Sequence, residues 1–145
     1  MLKLFIPEYN DLTECAEVYA SAYSVSPWYE NYEIKDIENY LAGFLHSDTK
    51  RCFVVKKNEQ VVGIALCLVI PGIGMPYLRI EDFCIRAEEQ RCGIGSQFME
   101  LIIEEAKKME CDSVILGTQK DFPSHRFYLA KGFREIESVL LYREV

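Results

Sequence analysis

The sequence lacks several patterns on which whole classes of function depend. It contains only two histidines, and none of its six cysteines forms a Cys-x-x-Cys pair, so the ligand spacing of a zinc site is absent. No apolar run approaches the roughly 18 residues that a membrane span needs. Basic residues are outnumbered, since 16 Lys and Arg stand against 23 Asp and Glu, and the formal charge is −7. A general binder of nucleic-acid phosphates needs a basic surface. We therefore expect no metal, no nucleic-acid partner and no membrane partner.

The composition is typical of one soluble globular domain over residues 1–145, because 50% of the residues are apolar and 27% are charged. Several cysteines lie in apolar runs, at 52–55 and 64–67, where free thiols act as small core side chains. This usage is typical of a reducing compartment. The apolar stretch at 2–6 is too short for a secretion signal, so we expect a cytoplasmic protein. The oligomeric state stays open, with a homodimer among the alternatives.

The spacing of apolar residues predicts hairpins mixed with helical crossovers. Such a mixture favours an α/β (α+β) domain in which helices cover both faces of a mixed sheet. The predicted order is βααβββαβαββ, with six to seven strands and about four helices. The predicted strands are 2–6, 51–57, 61–70, 77–85 and 113–118, with one or two more in 133–143; the predicted helices run from Asn10 or Asp11 to Tyr23 and over 34–46, 93–110 and 123–131.

A glycine-rich turn, GlnArgCysGlyIleGly at 90–95, joins a predicted strand to the longest predicted helix. Gly93 and Gly95 carry no side chain, so backbone N–H groups there can approach a ligand closely. The first turn of a helix offers unpaired N–H groups and a positive dipole end, and Arg91 adds charge-assisted hydrogen bonds to phosphate oxygens. The turn predicts an anion site, and a tight strand–helix connection is the alternative. It lacks the Lys-Ser/Thr of a Walker loop, and Phe98 replaces the third glycine of the dinucleotide fingerprint.

Two motifs together resemble the GNAT superfamily of acyl-CoA-dependent N-acyltransferases. They are Gln-x-x-Gly-x-Gly after a strand and PheTyr-x-x-x-GlyPhe downstream, carried by Gln90, Gly93, Gly95, Phe127, Tyr128, Gly132 and Phe133. The resemblance covers residues 78–133 best, and the predicted order of elements fits a GNAT-like fold from end to end. ProTrpTyr at 27–29 and GluAspPheCysIle at 81–85 add a looser similarity to bacterial members that are aminoglycoside N-acetyltransferase-like.

The resemblance implies acetyl-CoA (coenzyme A) as the cofactor. It implies that the turn from Arg91 to Ser96 holds the pyrophosphate, and that the strand 77–85 splays from its neighbour at 113–118. The pantetheine arm then pairs with the free edge of the strand, as a peptide adds to a sheet edge. The implied cofactor-binding residues are Phe83, Ile85, Gln90, Arg91, Cys92, Gly93, Ile94, Gly95 and Ser96. Asp121 stands where many relatives have Asn, and an ionised acid cannot donate a hydrogen bond to the arm.

An N-acyltransferase needs an acid for the departing thiolate. The resemblance implies that Tyr128 is this acid. A tyrosine with a pKa near 10 is neutral at pH 7, so it can protonate the thiolate or donate a hydrogen bond to it. From the residues alone, Tyr128 is equally a core aromatic on a short helix. His125 lies one helical turn before Tyr128 and is interpreted as a bystander. Cys84 lies in an apolar strand without a local charge to lower its pKa, which argues against a cysteine nucleophile.

The reaction also needs a base to take a proton from the ammonium of the acceptor. Strict alternation places Arg79, Glu81 and Phe83 on one face of the strand, with Ile80 and Asp82 on the other. Several members of the family that the sequence resembles have Glu or His at the position of Arg79, and some have His at the position of Glu81. Arginine cannot act as a base. Glu81 is therefore the first candidate, and Asp82 is the next if a bulge changes the alternation. The alternative for Glu81 is a salt bridge with a nearby base.

The loop after the first helix holds Trp28, Tyr29 and Tyr32 together with acidic residues. Aromatic faces and carboxylates suit an ammonium group, so these three are the candidate substrate-binding residues. The alternative is that Trp28 caps the core or forms a dimer contact. The leading hypothesis is acetyl transfer from acetyl-CoA to a primary amine, on a small cationic molecule, by direct attack. A protein or peptide N-acetyltransferase and a non-catalytic coenzyme A-binding sensor are the alternatives.

Overall fold

The computed structural model describes residues 2–145 of the chain. Its helices and strands follow the predicted order up to the last helix. Short one-turn helices precede α1 and α3. The strands are β1 (Lys3–Phe5), β2 (Lys50–Lys57), β3 (Gln60–Ile70), β4 (Tyr77–Ile85) and β5 (Val114–Leu116); the helices are α1 (Leu12–Tyr23), α2 (Ile34–Ala42), α3 (Ile94–Lys108) and α4 (Pro123–Ala130).

The five strands form one mixed sheet in the order β1-β2-β3-β4-β5. The first four are antiparallel neighbours, and β5 is parallel to β4. The β2–β3 hairpin turns at Asn58 and Glu59, whose φ angles of 52° and 65° are both positive. Positive φ at both central residues is the geometry of a type I′ turn, which matches the twist of paired strands. The predicted hairpin is therefore present.

Helices cover both faces of the sheet, as expected. One buried cluster joins α1 and α2 to Cys52, Val54, Ile64, Leu66 and Cys84. The other joins α3 and Tyr128 of α4 to the opposite side chains of the same strands, including Phe53, Val55 and Ile80. Four of the six cysteines are buried, and none is paired in residues 2–145. Among these residues, no helix is long and apolar enough to cross a membrane.

The prediction of six to seven strands is wrong for the single chain. Residues 133–143 contain no strand, and residues 134–145 are exposed to solvent throughout. A strand needs a partner to satisfy its backbone groups, and this extended segment has none among residues 2–145. The outer side of β5 is correspondingly unpaired, so the sheet ends there.

A bulge in β4 corrects the predicted assignment of faces. Leu66 of β3 pairs with Asp82, whereas the next residue of β3, Cys67, pairs with Ile80, so Glu81 is the extra residue. Because one inserted residue reverses the alternation, Ile80 and Phe83 both pack on the α3 side. Asp82 points instead toward α1, where Tyr19 contacts it. The bulge therefore places Phe83 on the same side of the sheet as Ile80, and not on the opposite side as strict alternation predicts.

We expect Gly63→Ala to lower the free energy of unfolding by about 1–3 kcal/mol. A Cβ at Gly63 would lie 2.9 Å from Cγ2 of Val55 and 3.0 Å from both Cδ1 of Ile85 and Cδ2 of Phe98. Since these side chains belong to the packed core, they cannot all move aside. Gly43→Ala is the matched control, because its Cβ would meet only the Tyr40 carbonyl, at 3.4 Å. Urea unfolding measures the stability of both variants. Equal free energies of unfolding for Gly63→Ala and Gly43→Ala would contradict the prediction.

Candidate active site

One cavity of about 800 Å³ opens where β4 and β5 separate. The two strands pair only from Leu78–Val114 to Ile80–Leu116. Beyond that point Gly117 and Thr118 diverge from the second half of β4, and both sides line the cavity. The edge of β4 that faces β5 therefore carries no strand partner from Glu81 to Ile85, within residues 2–145. This is the splay that the family resemblance implies.

The glycine-rich turn forms one end of the cavity. Gly93 caps α3 with φ of 82°, and Arg91 also has a positive φ, of 63°. The side chain of Gln90 donates from Nε2 to the carbonyl oxygen of Ile85 at 3.0 Å, which ties the turn to the end of β4. The first N–H groups of α3 have no intrahelical acceptor by helix geometry. This end therefore offers backbone donors, a positive dipole end and a guanidinium to an anion.

The structure brings most of the expected cofactor-binding residues to the cavity wall. Those that line it are Phe83, Ile85, Gln90, Arg91, Gly93, Gly95 and Ser96. The side chains of Cys92 and Ile94 do not. Ile94 is buried in the core on the α3 side, and both residues border a separate, smaller depression beside Lys57. Within the turn, these two residues can therefore contribute only backbone groups to a ligand.

We expect Gly93→Ala to weaken the binding of coenzyme A, the ligand that the family resemblance implies, by about 5–30-fold, because a residue with a Cβ pays about 1–2 kcal/mol for a left-handed backbone. The matched control is Gly74→Ala. Gly74 has a similar φ of 96° and an equally open surrounding, but it lies outside the cavity wall. Both variants carry the same backbone strain, so only a role of the turn in binding separates them. Equal dissociation constants of the two variants for coenzyme A, measured by calorimetry, would contradict the prediction.

Tyr128 lies on α4 with its side chain against the cavity. Its ring packs within 6.2 Å of Phe83, 5.3 Å of Phe127 and 5.7 Å of Phe133, measured between ring centroids. Burial raises the pKa of the Tyr128 phenol above its ordinary value, and the nearby Cys84 and Asp82 raise it further. The hydroxyl is therefore neutral at physiological pH and able to donate a hydrogen bond into the cavity.

Both ring nitrogens of His125 form hydrogen bonds outside the cavity. Its Nδ1 accepts the backbone N–H of Asp121 at 3.0 Å, and its Nε2 lies 2.8 Å from Oε1 of Glu135. The N–H bond to Nδ1 requires the proton on Nε2, so His125 donates to Glu135. Neither His125 nor Asp121 lines the cavity. The pair holds the loop before α4 in place, which agrees with the interpretation of His125 as a bystander.

Glu81 forms a salt bridge with Arg79. Such a salt bridge is the alternative to a catalytic role that the sequence leaves open for Glu81. Nε of Arg79 lies 2.7 Å from Oε1 of Glu81, and both side chains are partly exposed at the cavity wall. The bulge turns Glu81 outward to this contact. The carboxylate thus faces the cavity together with a cation.

Asp82 receives three tyrosine hydroxyls, from Tyr19, Tyr23 and Tyr40, which we call the tyrosine cluster. Tyr19 and Tyr23 donate to Oδ1 at 3.1 and 3.2 Å, and Tyr40 donates to Oδ2 at 2.6 Å. Burial raises the pKa of the Asp82 carboxyl, and the three hydrogen bonds partly oppose this. A carboxylate has about four acceptor sites, so one lone pair remains for an ammonium or a water.

Sequence reasoning missed the tyrosine cluster. Tyr19 and Tyr23 have the helical spacing of an apolar stripe on α1, and Tyr40 has that of a stripe on α2, so periodicity alone assigns all three to the core. The available signal was chemical, because a buried tyrosine hydroxyl usually has a hydrogen-bond partner. Their shared acceptor lies 42 to 63 residues away in the chain. No local pattern identifies it.

Aromatic side chains of the loop after α1 form the other end of the cavity. The Trp28 ring lies 5.8 Å from that of Tyr23 and 5.4 Å from that of Phe122. Tyr32 packs 6.1 Å from Tyr19 and donates a hydrogen bond to Glu30. Trp28, Tyr32 and Glu30 all line the cavity. This end is therefore aromatic and acidic.

Tyr29 does not join this wall, which corrects the expectation for it. It is 73% exposed and has a left-handed φ of 50°. Tyr29 and Trp28 both donate their backbone N–H to the Val25 carbonyl in one tight turn. Because Trp28 packs inward there, its neighbour Tyr29 projects into solvent.

Cys84 is buried beside the cavity. Burial raises the pKa of its thiol, and the adjacent Asp82 carboxylate raises it further. A protonated thiol is a poor nucleophile. The structure thus agrees with the argument against a cysteine nucleophile. In residues 2–145, no three His, Cys, Asp or Glu side chains are arranged to hold a metal ion.

In this chain a mixed sheet splits beside a glycine-rich turn. The N-terminus of a helix lies at the split, and a tyrosine lines the same cavity. This combination of fold and site defines the acyltransferase class. A family model described as the Acetyltransferase (GNAT) family matches residues 10–133. The chain therefore belongs to this family.

Solved structures share the fold over nearly the whole chain. An aminoglycoside acetyltransferase from an uncultured soil metagenomic sample, solved in complex with sisomicin, is 20% identical with a TM-score of 0.81, covering 99% of this chain and 96% of that one. A GNAT family acetyltransferase from Staphylococcus aureus is 14% identical with a TM-score of 0.79, covering 99% and 98%. A ribosomal-protein-alanine N-acetyltransferase from Brucella melitensis is 12% identical with a TM-score of 0.78, covering 99% and 100%.

Proposed function

We propose that this protein transfers an acetyl group from acetyl-CoA to the primary amine of a small cationic molecule, by direct attack of the amine. One observation carries the proposal. A single cavity joins a glycine-turn anion site to an aromatic and acidic end, with Tyr128 in the wall of the same cavity. The two ends suit the two substrates of an N-acetyltransferase, since one attracts phosphates and the other attracts a cation.

The residues present fit coenzyme A. Gly93 has a positive φ and precedes the first turn of α3, and Gly93, Gly95 and Ser96 line the cavity. The unpaired N–H groups of that turn are therefore available to a phosphate there. Arg91 adds a permanent positive charge for the pyrophosphate. The unpaired edge of β4 at Phe83 and Ile85 suits the amides of an extended pantetheine arm. When bound, acetyl-CoA supplies an acetyl group activated as a thioester. The acidic balance of the chain does not oppose this, because the local charge at the turn is positive.

The acceptor amine must lose a proton before it reacts. A lysine-like ammonium has a pKa of about 10.4, so at pH 7 only about one molecule in 2,500 is neutral, a penalty of about 4.6 kcal/mol. Two carboxylates of the cavity wall can take this proton, Glu81 and Asp82. Burial raises the pKa of Asp82, which makes it a stronger base than an ordinary aspartate. Glu81 is held by Arg79, so we favour Asp82, acting directly or through a water.

Tyr128 stabilises the departing thiolate in this proposal. Burial raises the pKa of its hydroxyl, which keeps the hydroxyl neutral but disfavours complete loss of its proton. A coenzyme thiolate resembles a cysteine thiolate, with a pKa of about 8.5, so Tyr128 acts on it chiefly by donating a strong hydrogen bond, and the proton is transferred only as far as the thiolate requires.

The aromatic and acidic end selects a cation. Trp28 and Tyr32 offer ring faces, and Glu30 and Asp82 offer negative charge. A desolvated cation over such rings gains about 2 kcal/mol. A neutral amine of the same shape would lose these interactions.

Two alternatives have support from specific observations. A peptide acceptor is supported by the shared fold of the Brucella ribosomal-protein-alanine N-acetyltransferase. A coenzyme A-binding sensor without catalysis is supported by Arg79. Arginine cannot act as a base, several family members have Glu or His at this position, and Arg79 pairs with Glu81.

The experiment that separates these functions measures thiol release from acetyl-CoA with a panel of aminoglycosides, polyamines and peptides. Turnover with the polycations supports the proposal. Turnover with peptides alone transfers the assignment to a peptide N-acetyltransferase. Tight acetyl-CoA binding by calorimetry without turnover on any amine identifies a sensor.

A further inference from the structure

We propose that Tyr40 of α2 is the positioning residue of Asp82, and that it makes Oδ2 the carboxylate oxygen that receives the proton of the acceptor amine. This role rests on the proposed function, because it takes Asp82 as the base. It adds which oxygen acts and which side chain directs it. Three features support it: the lengths of the hydrogen bonds, their division between the two oxygens, and the place of Tyr40 outside the cavity.

The hydrogen bond from Tyr40 is the shortest of the three that Asp82 accepts within the tyrosine cluster. The Tyr40 hydroxyl lies 2.6 Å from Oδ2, whereas those of Tyr19 and Tyr23 lie 3.1 and 3.2 Å from Oδ1. A hydroxyl donates to an ionised carboxylate at about 2.5–2.7 Å, and such a bond is roughly twice as strong as a neutral one. Tyr40 therefore contributes most to holding the carboxylate ionised and in one orientation.

The two oxygens of Asp82 differ in the lone pairs that remain free. Each carboxylate oxygen has about two acceptor sites. Tyr19 and Tyr23 occupy both sites of Oδ1, and Tyr40 occupies one site of Oδ2. The free lone pair thus belongs to Oδ2. The proton of the ammonium, directly or through a water, forms its new O–H bond there. The nitrogen keeps the electron pair with which it attacks the thioester carbonyl.

Tyr40 contacts Asp82 from outside the cavity. Asp82, Tyr19 and Tyr23 line the cavity, and Tyr40 does not. Tyr40 is 43% exposed, and its ring packs edge-on against those of Phe44 and Tyr19, at centroid distances of 5.4 and 6.2 Å. These contacts involve the ring and not the hydroxyl. Tyr40→Phe therefore removes the hydrogen bond and leaves both the packing and the cavity wall.

The other titratable groups around Asp82 do not replace this hydrogen bond. Burial is the largest cause that raises the pKa of Asp82, and the like charge of Glu81 on the same strand raises it further. Glu81 is itself paired with Arg79. The remaining groups come from β4, α4 and the loop after α1, and raised pKa values keep them neutral, through burial in the first two and the hydrogen bond to Glu30 in the third: Cys84, Tyr128 and Tyr32.

Loss of the Tyr40 hydroxyl should raise the pKa of Asp82, because the hydrogen bond favours the ionised carboxylate. A hydrogen bond to a charged group is strong enough to move a pKa by about 1–2 pH units. The acidic limb of kcat/KM should therefore move to higher pH by this amount in Tyr40→Phe. KM for acetyl-CoA should not change, since Tyr40 lies outside the cavity wall. Tyr19→Phe should shift the limb less, because Tyr23 still holds Oδ1.

Carbon-13 NMR of the Asp82 carboxyl measures the same change without turnover. The carboxyl signal is followed against pH in the full chain without ligands. We expect its pKa to rise by about 1–2 pH units in Tyr40→Phe and by less in Tyr19→Phe. Tyr9→Phe is the matched control and should leave this pKa unchanged, because Tyr9 packs against His46 and lies outside the cavity.

A carboxyl pKa and an acidic limb that move together in Tyr40→Phe support both the role of Tyr40 and the choice of Oδ2. An unchanged carboxyl pKa in this variant would overturn the role of Tyr40, as would an equal or larger rise in Tyr19→Phe. A carboxyl pKa that moves while the limb stays would overturn proton transfer to Oδ2. If no amine is acetylated, the proposed function fails, and the NMR titration alone decides whether Tyr40 controls Asp82.

Discussion

Tyr128→Phe is expected to lower kcat by about 10²- to 10⁴-fold, the usual contribution of a positioned general acid. The phenyl ring keeps the contacts with Phe83, Phe127 and Phe133, so the fold and acetyl-CoA binding should change little. What disappears is the neutral hydroxyl whose pKa burial raises. The departing thiolate must then take its proton from water. Initial rates with saturating acetyl-CoA and amine measure the effect.

Tyr9→Phe is the matched control for this variant. Tyr9 is exposed, packs against His46 and lies outside the cavity, so removal of its hydroxyl should leave kcat unchanged. KM for acetyl-CoA should stay near the wild-type value in both variants, since neither hydroxyl is assigned to binding. A fall in kcat of less than about threefold for Tyr128→Phe would remove this residue from the role of acid.

Asp82→Asn is expected to lower kcat/KM by about 10²- to 10⁴-fold, because the amide cannot accept a proton. The variant also removes the acidic limb of the pH profile. Burial raises the pKa of Asp82 in the native protein, so the wild-type carboxyl is protonated, and inactive as a base, at a higher pH than an ordinary aspartate. Activity of the wild type should therefore fall as the pH decreases through this raised pKa.

Glu81→Gln separates the two candidate bases. It removes the partner of Arg79 but leaves the tyrosine cluster around Asp82 intact. We expect a smaller loss of kcat/KM than in Asp82→Asn and an acidic limb like that of the wild type. A larger loss in Glu81→Gln, together with a changed limb, would assign the proton transfer to Glu81.

The raised pKa of Asp82 also predicts a stability effect with a definite sign. The folded carboxyl binds a proton more readily than the unfolded one, so its favourable contribution is present at low pH and is lost as the pH rises through the folded pKa. Asn cannot titrate. The loss of unfolding free energy in Asp82→Asn should therefore be smaller at neutral pH than in acid, as measured by urea unfolding at the two pH values.

Much of the fold was predictable because its signals are local. The apolar periodicity of α3, whose buried face includes Phe98, Met99 and Ile102, lies within one helix. The β2–β3 hairpin is fixed by its two-residue turn. The last predicted strands failed for the opposite reason. The pattern of 133–143 is strand-like, but a strand depends on a partner, and this segment pairs with none of the strands within residues 2–145.

The candidate site divides in the same way. The sequence by itself determined the glycine turn, the tyrosine at 128 and the membership of an acyltransferase family, because adjacent residues in a fixed order carry these motifs. Only the tertiary structure decided which carboxylate meets the tyrosines. A single inserted residue at Glu81 turns Asp82 toward α1 and α2, and the hydroxyls that reach it come from positions 42 to 63 residues away. Register and long-range packing set such contacts, and no short stretch of sequence contains them.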